Sequence, residues 1–140
     1  MSRPSPIPAF LQAFAAQRDQ DLEPFLHEDV AYKVEGFAPL EGRRDVLSYW
    51  RRMFESHRLI RMSLERHMRD GDVVIVAHRQ VYSAFKRPPL VLDGMAVFEL
   101  AQEKIRAWDD GLRAEDLPVS FAAVPRRIAP SPGHSLIWSR

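Results

Sequence analysis

Apolar and polar positions alternate with a period of two over two adjacent stretches of the chain, residues 71–85 and 90–110. The first stretch is rich in β-branched and aromatic residues and follows an Asp-Gly-Asp turn, which is typical of a strand. The second breaks at Gln102-Glu103-Lys104 and therefore predicts two strands joined by a short turn. A further strand is predicted over residues 59–68. Because parallel strands would need crossovers of a dozen residues, these short connections predict a strongly bent antiparallel sheet.

Helical spacing dominates the N-terminal part of the chain instead. Phe10 and Phe14 predict a helix from residue 9 to about residue 18, and residues 21–26 predict a short second helix. A first strand over residues 30–34 precedes a third helix over residues 45–56. The expected fold class is therefore α+β, with a curved antiparallel sheet wrapped around three N-terminal helices.

The pattern decays after Asp110, which places one domain over residues 1–117. Residues 118–140 contain four prolines, three arginines and no acidic residue, so they are expected to form an irregular C-terminal tail. The Lys86–Pro89 segment is expected to be a turn, because two prolines cannot continue a ladder of hydrogen bonds.

Charge and composition exclude several classes of function. The formal net charge is +1, so the global field favours neither nucleic acid nor an anionic membrane as a partner. The chain has no cysteine, and no apolar run is long enough to span a membrane. The N-terminus lacks the apolar core of a signal peptide, so a cytoplasmic location is expected. The five histidines lack metal-ligand spacing, and neither a metal nor a cofactor is predicted.

Side chains alternate between the two faces of a strand, and this alternation predicts that two charged residues, Arg79 and Asp110, face the interior. Arg79, Val81 and Ser83 share one face of their strand, and Trp108 and Asp110 share one face of theirs. We therefore expect Arg79 and Asp110 to form an ion pair inside the apolar sheet. Such a pair can be purely structural, because removing one partner of a buried pair costs several kcal/mol whether or not it serves a function.

The order of elements, ending in a Lys-Ile-x-x-Trp-x-Asp stretch at residues 104–110, resembles the nuclear transport factor 2-like (NTF2-like) cone fold. That superfamily includes ketosteroid isomerases, polyketide cyclases of the SnoaL type and limonene-1,2-epoxide hydrolases. The resemblance implies a deep pocket between the helices and the concave face of the sheet, and a homodimer. It indicates the fold and leaves the activity open.

Part of the epoxide hydrolase pattern is present. In that family a tyrosine and an asparagine on the first strand help to hold the attacking water. An Arg-x-Asp supplies a bridging arginine and the base, and a later aspartate donates a proton. Tyr32, Arg79 and Asp110 match the tyrosine, the arginine and the proton donor, whereas Val34 and Val81 replace the asparagine and the base. Because valine cannot activate water, epoxide hydrolysis by the family route is disfavoured.

Two hypotheses follow. In the first, the protein is an isomerase, cyclase or hydratase that acts on an apolar substrate, with Asp110 or Glu35 moving a proton and Tyr32 or Arg79 stabilising an oxyanion. Glu35 is included because ketosteroid isomerases carry their base near this point of the fold. In the second, the cone binds a hydrophobic ligand without catalysis, or side chains fill it as a scaffold. The expected substrate-binding wall consists of Phe10, Phe14, Trp50, Val81, Leu92, Gly94, Phe98, Trp108 and Leu112.

Overall fold

Two helices and six strands follow one another along residues 4–35, 37–84 and 87–113, which the computed structural model describes. The helices are α1 (Ile7–Ala15) and α2 (Arg43–Ser56), with short 3-10 turns at Asp19–Asp21 and Glu23–Phe25 between them. The strands are β1 (Leu26–Glu35), β2 (Leu40–Glu41), β3 (Arg58–Asp70), β4 (Val73–Ala84), β5 (Arg87–Ala101) and β6 (Lys104–Arg113). The predicted boundary at residue 117 and the tail beyond it lie outside the described residues.

The six strands form one sheet in the order β2-β1-β6-β5-β4-β3. Strands β3 to β6 form the predicted antiparallel meander. Strand β1, however, pairs with β6 in parallel, with Tyr32 beside Trp108 and Val34 beside Asp110. The sheet is thus mixed rather than wholly antiparallel. The long chain between β1 and β6 leaves ample length for a parallel pairing that short turns cannot make.

The predicted second helix is replaced by the two 3-10 turns, and β1 begins at Leu26 rather than at residue 30. Pro24 lies within the second turn and has no amide hydrogen to donate, which limits the helix to a single short turn. The predicted turn at Lys86–Pro89 is also shorter than expected, because β5 already begins at Arg87. The register of β4 against β5 shifts beside these prolines, between Tyr82 and Ala84.

Both helices cover the inner face of the sheet. Helix α1 has a proline within its first turn and buries four apolar residues that recur with helical spacing: Ile7, Phe10, Leu11 and Phe14. Helix α2 begins after Gly42, whose φ of +94° suits glycine, and buries Val46, Tyr49, Trp50 and Met53. The curved sheet around N-terminal helices is therefore confirmed, and its core lies between the two layers. No helix among the described residues is long and apolar enough to cross a membrane.

Candidate functional site

The even-numbered residues of β4 face the interior, which reverses the predicted parity of that strand. Val74, Val76, His78, Gln80 and Tyr82 are all buried. Their buried partners on β5 are also even-numbered: Leu92, Ala96 and Phe98. The odd-numbered residues of β4 therefore lie on the outer face of the sheet.

The predicted ion pair between Arg79 and Asp110 is consequently wrong. Arg79 lies directly opposite Asp93 on β5, and its Nε donates to Asp93 Oδ1 at 2.7 Å. Both side chains are more than half exposed. An exposed pair of this kind keeps the guanidinium hydrated, whereas burial would impose a large desolvation cost. Val81 lies opposite Val91 on the same outer face, so it does not line the interior either.

Asp110 is the buried carboxylate at the centre of the candidate site. Parity on β6 was predicted correctly, since Trp108 and Asp110 are both buried, and Asp110 is only 2% exposed. The hydroxyl of Tyr32 donates to Asp110 Oδ2 at 3.3 Å. The second oxygen, Oδ1, accepts no hydrogen bond from the described part of the chain. Leaving a buried charged acceptor unsatisfied is costly, and such groups are uncommon in native interiors.

Three side chains of β4 extend this polar cluster across the inner face. His78 Nε2 lies 3.7 Å from Asp110 Oδ1. On the other side of the imidazole, Gln80 Nε2 lies 3.3 Å from His78 Nδ1. The hydroxyl of Tyr82 donates to Gln80 Oε1 at 2.7 Å. Polar side chains from β1 and β4 thus converge on Asp110 of β6 within an otherwise apolar core.

The tyrosines of this core remain protonated hydrogen-bond donors. Burial raises the pKa of Tyr32 well above its ordinary value, and the negative charge of Asp110 raises it further. Burial and the charge of Asp110 also raise the pKa of Tyr49 and of Tyr82. Phenolate chemistry at these positions is therefore disfavoured, and the hydroxyls of Tyr32 and Tyr82 serve as donors.

Asp110 faces a cavity of about 10 Å³, which is space for roughly one water molecule. Its lining combines apolar side chains with three polar ones: Leu11, Phe14, Met62, His78, Gln80, Ala96, Phe98, Trp108 and Asp110. A second void of about 10 Å³ is lined by Tyr32, Phe37 and Tyr49 among others. Around these two voids, the described side chains almost fill the interior of the cone.

Most of the residues that were predicted to line a substrate pocket instead pack against one another in the core. Trp108 packs on Trp50 with the two ring planes 13° apart and their centroids separated by 5.6 Å. Phe10 meets Trp108 edge to face at 5.2 Å. Phe14, Leu92 and Phe98 are buried in the same core, and Gly94 lies opposite His78. The side chains of Glu35, the last residue of β1, and Leu112 on β6 lie outside the described part of the structure.

A much larger concavity lies elsewhere. It is an open groove of about 710 Å³ where the ends of α1 and α2 meet the start of β3. Phe54 lines this groove and packs against Phe14, which lines the small cavity, with ring centroids 5.2 Å apart. Two aromatic rings therefore separate the groove from the polar cluster. Among residues 4–35, 37–84 and 87–113, no group of three histidine or acidic side chains is placed to hold a metal ion.

His78, Gln80 and Tyr82 were not among the predicted site residues. Both faces of β4 carry apolar residues, so alternation alone does not identify the inner face. The pairing of Arg79 with Asp93 would have identified the outer face of β4, because two opposite charges directly across neighbouring strands favour the solvent-exposed face. The Arg-x-Asp pattern of the epoxide hydrolases was aligned with Arg79 and Val81, which lie on the outer face. If the pattern is aligned one residue earlier, with the inward-facing His78 and Gln80, it still lacks a carboxylate base.

Comparison with known proteins places this geometry in a family. The model of the SnoaL-like domain matches residues 7–108. An LEH-like epoxide hydrolase from M. tuberculosis has a similar structure, with a TM-score of 0.69 and 22% identity over 82% of this chain and 85% of that one. A protein described as an isomerase from Rhodopseudomonas palustris gives a TM-score of 0.71 and 20% identity, covering 87% and 98% of the two chains.

A protein with a ketosteroid isomerase-like fold from Catenulispora acidiphila gives a TM-score of 0.65 and 18% identity, covering 88% of this chain and 98% of that one. Among curated proteins, no sequence matches significantly. At these identities the structural likeness establishes the fold, and the family match establishes the relationship. The chain therefore belongs to the SnoaL-like domain family, and it has the NTF2-like fold that its sequence pattern predicted.

Proposed function

We propose that this protein is a cofactor-independent enzyme that moves a proton on a small apolar carbonyl compound, as an isomerase or cyclase does. The observation that supports the proposal is the buried Asp110 carboxylate, which lines the cavity and whose Oδ1 has no hydrogen-bond donor among the described residues. A core selected only for stability would satisfy or replace such a group. Retention of the group at a cost in stability is typical of a catalytic acid or base.

Each polar neighbour has a distinct role in this proposal. Asp110 Oδ1 accepts the proton from the carbon next to the substrate carbonyl, and the electron pair moves onto the carbonyl oxygen. His78 Nε2, 3.7 Å from Oδ1, would donate a hydrogen bond to this developing oxyanion. The Tyr32 hydroxyl holds Oδ2 and fixes the orientation of the carboxylate. Return of the proton to another carbon completes an isomerisation, and attack of the enolate carbon on a second carbonyl would give a cyclisation.

Deuterium exchange at the α-carbon of cyclohexanone in D2O, followed by NMR, tests this proposal directly. The native protein is expected to accelerate the exchange, and Asp110→Asn is expected to lower the catalysed rate by about 100-fold or more, as loss of a general base does. Asp109→Asn is the matched control, because the neighbouring residue alternates to the other face of β6 and should leave the rate unchanged. Full activity of Asp110→Asn would contradict the role of Asp110.

A non-catalytic scaffold is the second candidate, and the small size of the cavity favours it. About 10 Å³ is far too little for cyclohexanone, so a substrate could enter only if aromatic side chains moved. The rings of Phe14 and Phe54 lie between the cavity and the open groove and are one such barrier. Absence of any exchange by the native protein, together with no binding of an apolar fluorescent probe, would favour the scaffold over the enzyme.

We also propose that the partner of this protein is a second copy of the chain, bound through the outer face of the sheet. Exposed apolar residues occur there, with Met68 at 65%, Val91 at 51% and Met95 at 46% exposed. The β3 side of this face carries Arg61 and Arg66, whereas β5 carries acidic residues such as Glu99. A two-fold axis would place the basic side of one copy over the acidic side of the other.

Met95→Asp is expected to weaken such a dimer by more than about tenfold, because it places a charge in the apolar centre of the face. Sedimentation equilibrium measures the change. Arg44→Asp, an exposed substitution on α2 at the helical side of the molecule, is the control and should leave the association unchanged. A monomeric native protein at high concentration would rule out this partner.

A further inference from the structure

The side chains of Tyr82, Gln80 and His78 form one continuous run of polar contacts along the inner face of β4. The Tyr82 hydroxyl donates to Gln80 Oε1 at 2.7 Å, and Gln80 Nε2 lies 3.3 Å from His78 Nδ1. All three residues are at least 95% buried. The far nitrogen of the imidazole, Nε2, lies toward Asp110 Oδ1 at 3.7 Å. The run therefore ends at the candidate base.

The chemistry of the donors gives this run a direction. Burial and the charge of Asp110 raise the pKa of Tyr82, so its hydroxyl keeps its proton and donates to Gln80. The Gln80 carboxamide has its oxygen on the Tyr82 side, which leaves its NH2 group on the His78 side. An amide nitrogen donates and does not accept. Nδ1 of His78 must therefore be the acceptor, and the single proton of a neutral imidazole lies on Nε2.

We infer that Gln80 and Tyr82 are positioning residues that hold His78 with its proton on Nε2, directed toward Asp110 Oδ1. The catalytic meaning of this assignment rests on the proposed function. In that setting the imidazole is a fixed hydrogen-bond donor to the developing oxyanion, and Asp110 alone is the base. Reversal of the tautomer would place the lone pair of Nε2 against the carboxylate and the substrate oxygen, and it would remove the donor.

The position of the proton can be measured by long-range 1H–15N correlation on protein with 15N-labelled histidine. The signals of His78 are identified by their loss in a His78→Asn variant. In the native protein we expect Nε2 to be the protonated nitrogen with an excess of about tenfold, as the difference of about one hydrogen bond would give. Gln80→Glu presents a carboxylate to Nδ1 and is expected to place a proton there.

Tyr82→Phe is the conservative second variant. It removes only the hydroxyl that orients the carboxamide, so the amide can turn and present its oxygen to Nδ1. A mixture of the two tautomers is the expected result. Arg79→Gln is the matched control, because Arg79 lies between His78 and Gln80 in sequence but on the outer face of β4. In the Arg79→Gln variant, the nitrogen signals of His78 should match those of the native protein.

A native protein with the proton on Nδ1, or a folded Gln80→Glu variant with unchanged His78 nitrogens, would overturn the inference. The exchange assay separates this outcome from a failure of the proposed function. Full activity of Asp110→Asn would show that Asp110 is not the base, but it would not change the position of the proton on His78 measured by NMR. If both proposals hold, Gln80→Glu and Tyr82→Phe should lower kcat for exchange with little change in KM.

Discussion

Replacing Trp108 with alanine is expected to lower the free energy of unfolding by about 3–5 kcal/mol. Trp108 is 4% exposed, and its ring lies 4.4 Å from that of Tyr32 and 5.2 Å from that of Phe10, centroid to centroid. It also stacks on Trp50 and Phe98, at 5.6 Å and 5.8 Å. Surrounding rings that touch one another cannot easily collapse into the space left by the indole, so the cavity term adds to the lost burial.

Urea denaturation followed by circular dichroism measures this change. Arg106→Ala, at an exposed position on the same strand, is the control and should change the unfolding free energy by no more than about 0.5 kcal/mol. A loss below about 1 kcal/mol for Trp108→Ala would mean that the aromatic cluster is loosely packed, in contradiction to the nearly filled cone.

Raising the pH above about 10 is expected to unfold the protein before its tyrosines ionise. The chain has three tyrosines, Tyr32, Tyr49 and Tyr82, and the pKa of each is raised by burial and by Asp110. In the unfolded chain they would ionise near pH 10, whereas the folded protein keeps their protons to higher pH. Their contribution to stability is therefore complete below pH 10 and falls as the pH rises further.

The expected slope is about 1.4 kcal/mol per pH unit for each tyrosine, or about 4 kcal/mol per unit for all three. Tyrosinate absorbance and far-ultraviolet circular dichroism should change together in one alkaline transition. Tyr49→Phe should reduce the slope by about one third. Reversible appearance of tyrosinate near pH 10, with the dichroism unchanged, would show that the hydroxyls are accessible in the folded state.

The sequence predicted the fold more fully than the site, for reasons visible on individual strands. Tyr32 was identified through the resemblance to the epoxide hydrolases, and Asp110 was placed inside because it shares a strand face with Trp108. On β4, Ile75 and Val81 make the outer face almost as apolar as the inner one, so parity was ambiguous there. A one-residue error in parity exchanges every side chain between faces, which is why Arg79 was placed inside and His78 was missed.

Long-range features were beyond the reach of local patterns. The parallel pairing of β1 with β6 joins residues about half the chain apart, and nothing in either strand encodes the partner. The degree of filling of the cone was equally unpredictable. The sequence placed Trp50, Gly94 and Trp108 on one expected wall, but it does not encode that the two indole rings stack on each other within the core.

The stacked indoles of Trp50 and Trp108 give the protein an internal optical reporter. Two indoles that stack in a fixed arrangement couple their electronic transitions, and the resulting circular dichroism depends steeply on their separation and relative angle. The third tryptophan, Trp138, is remote in sequence from this pair. Trp108 lines the small cavity beside Asp110, so a molecule larger than water that binds there should shift the indole and alter the coupled signal. Occupancy of the interior could thus be followed without a label, even for a compound whose turnover is too slow to detect.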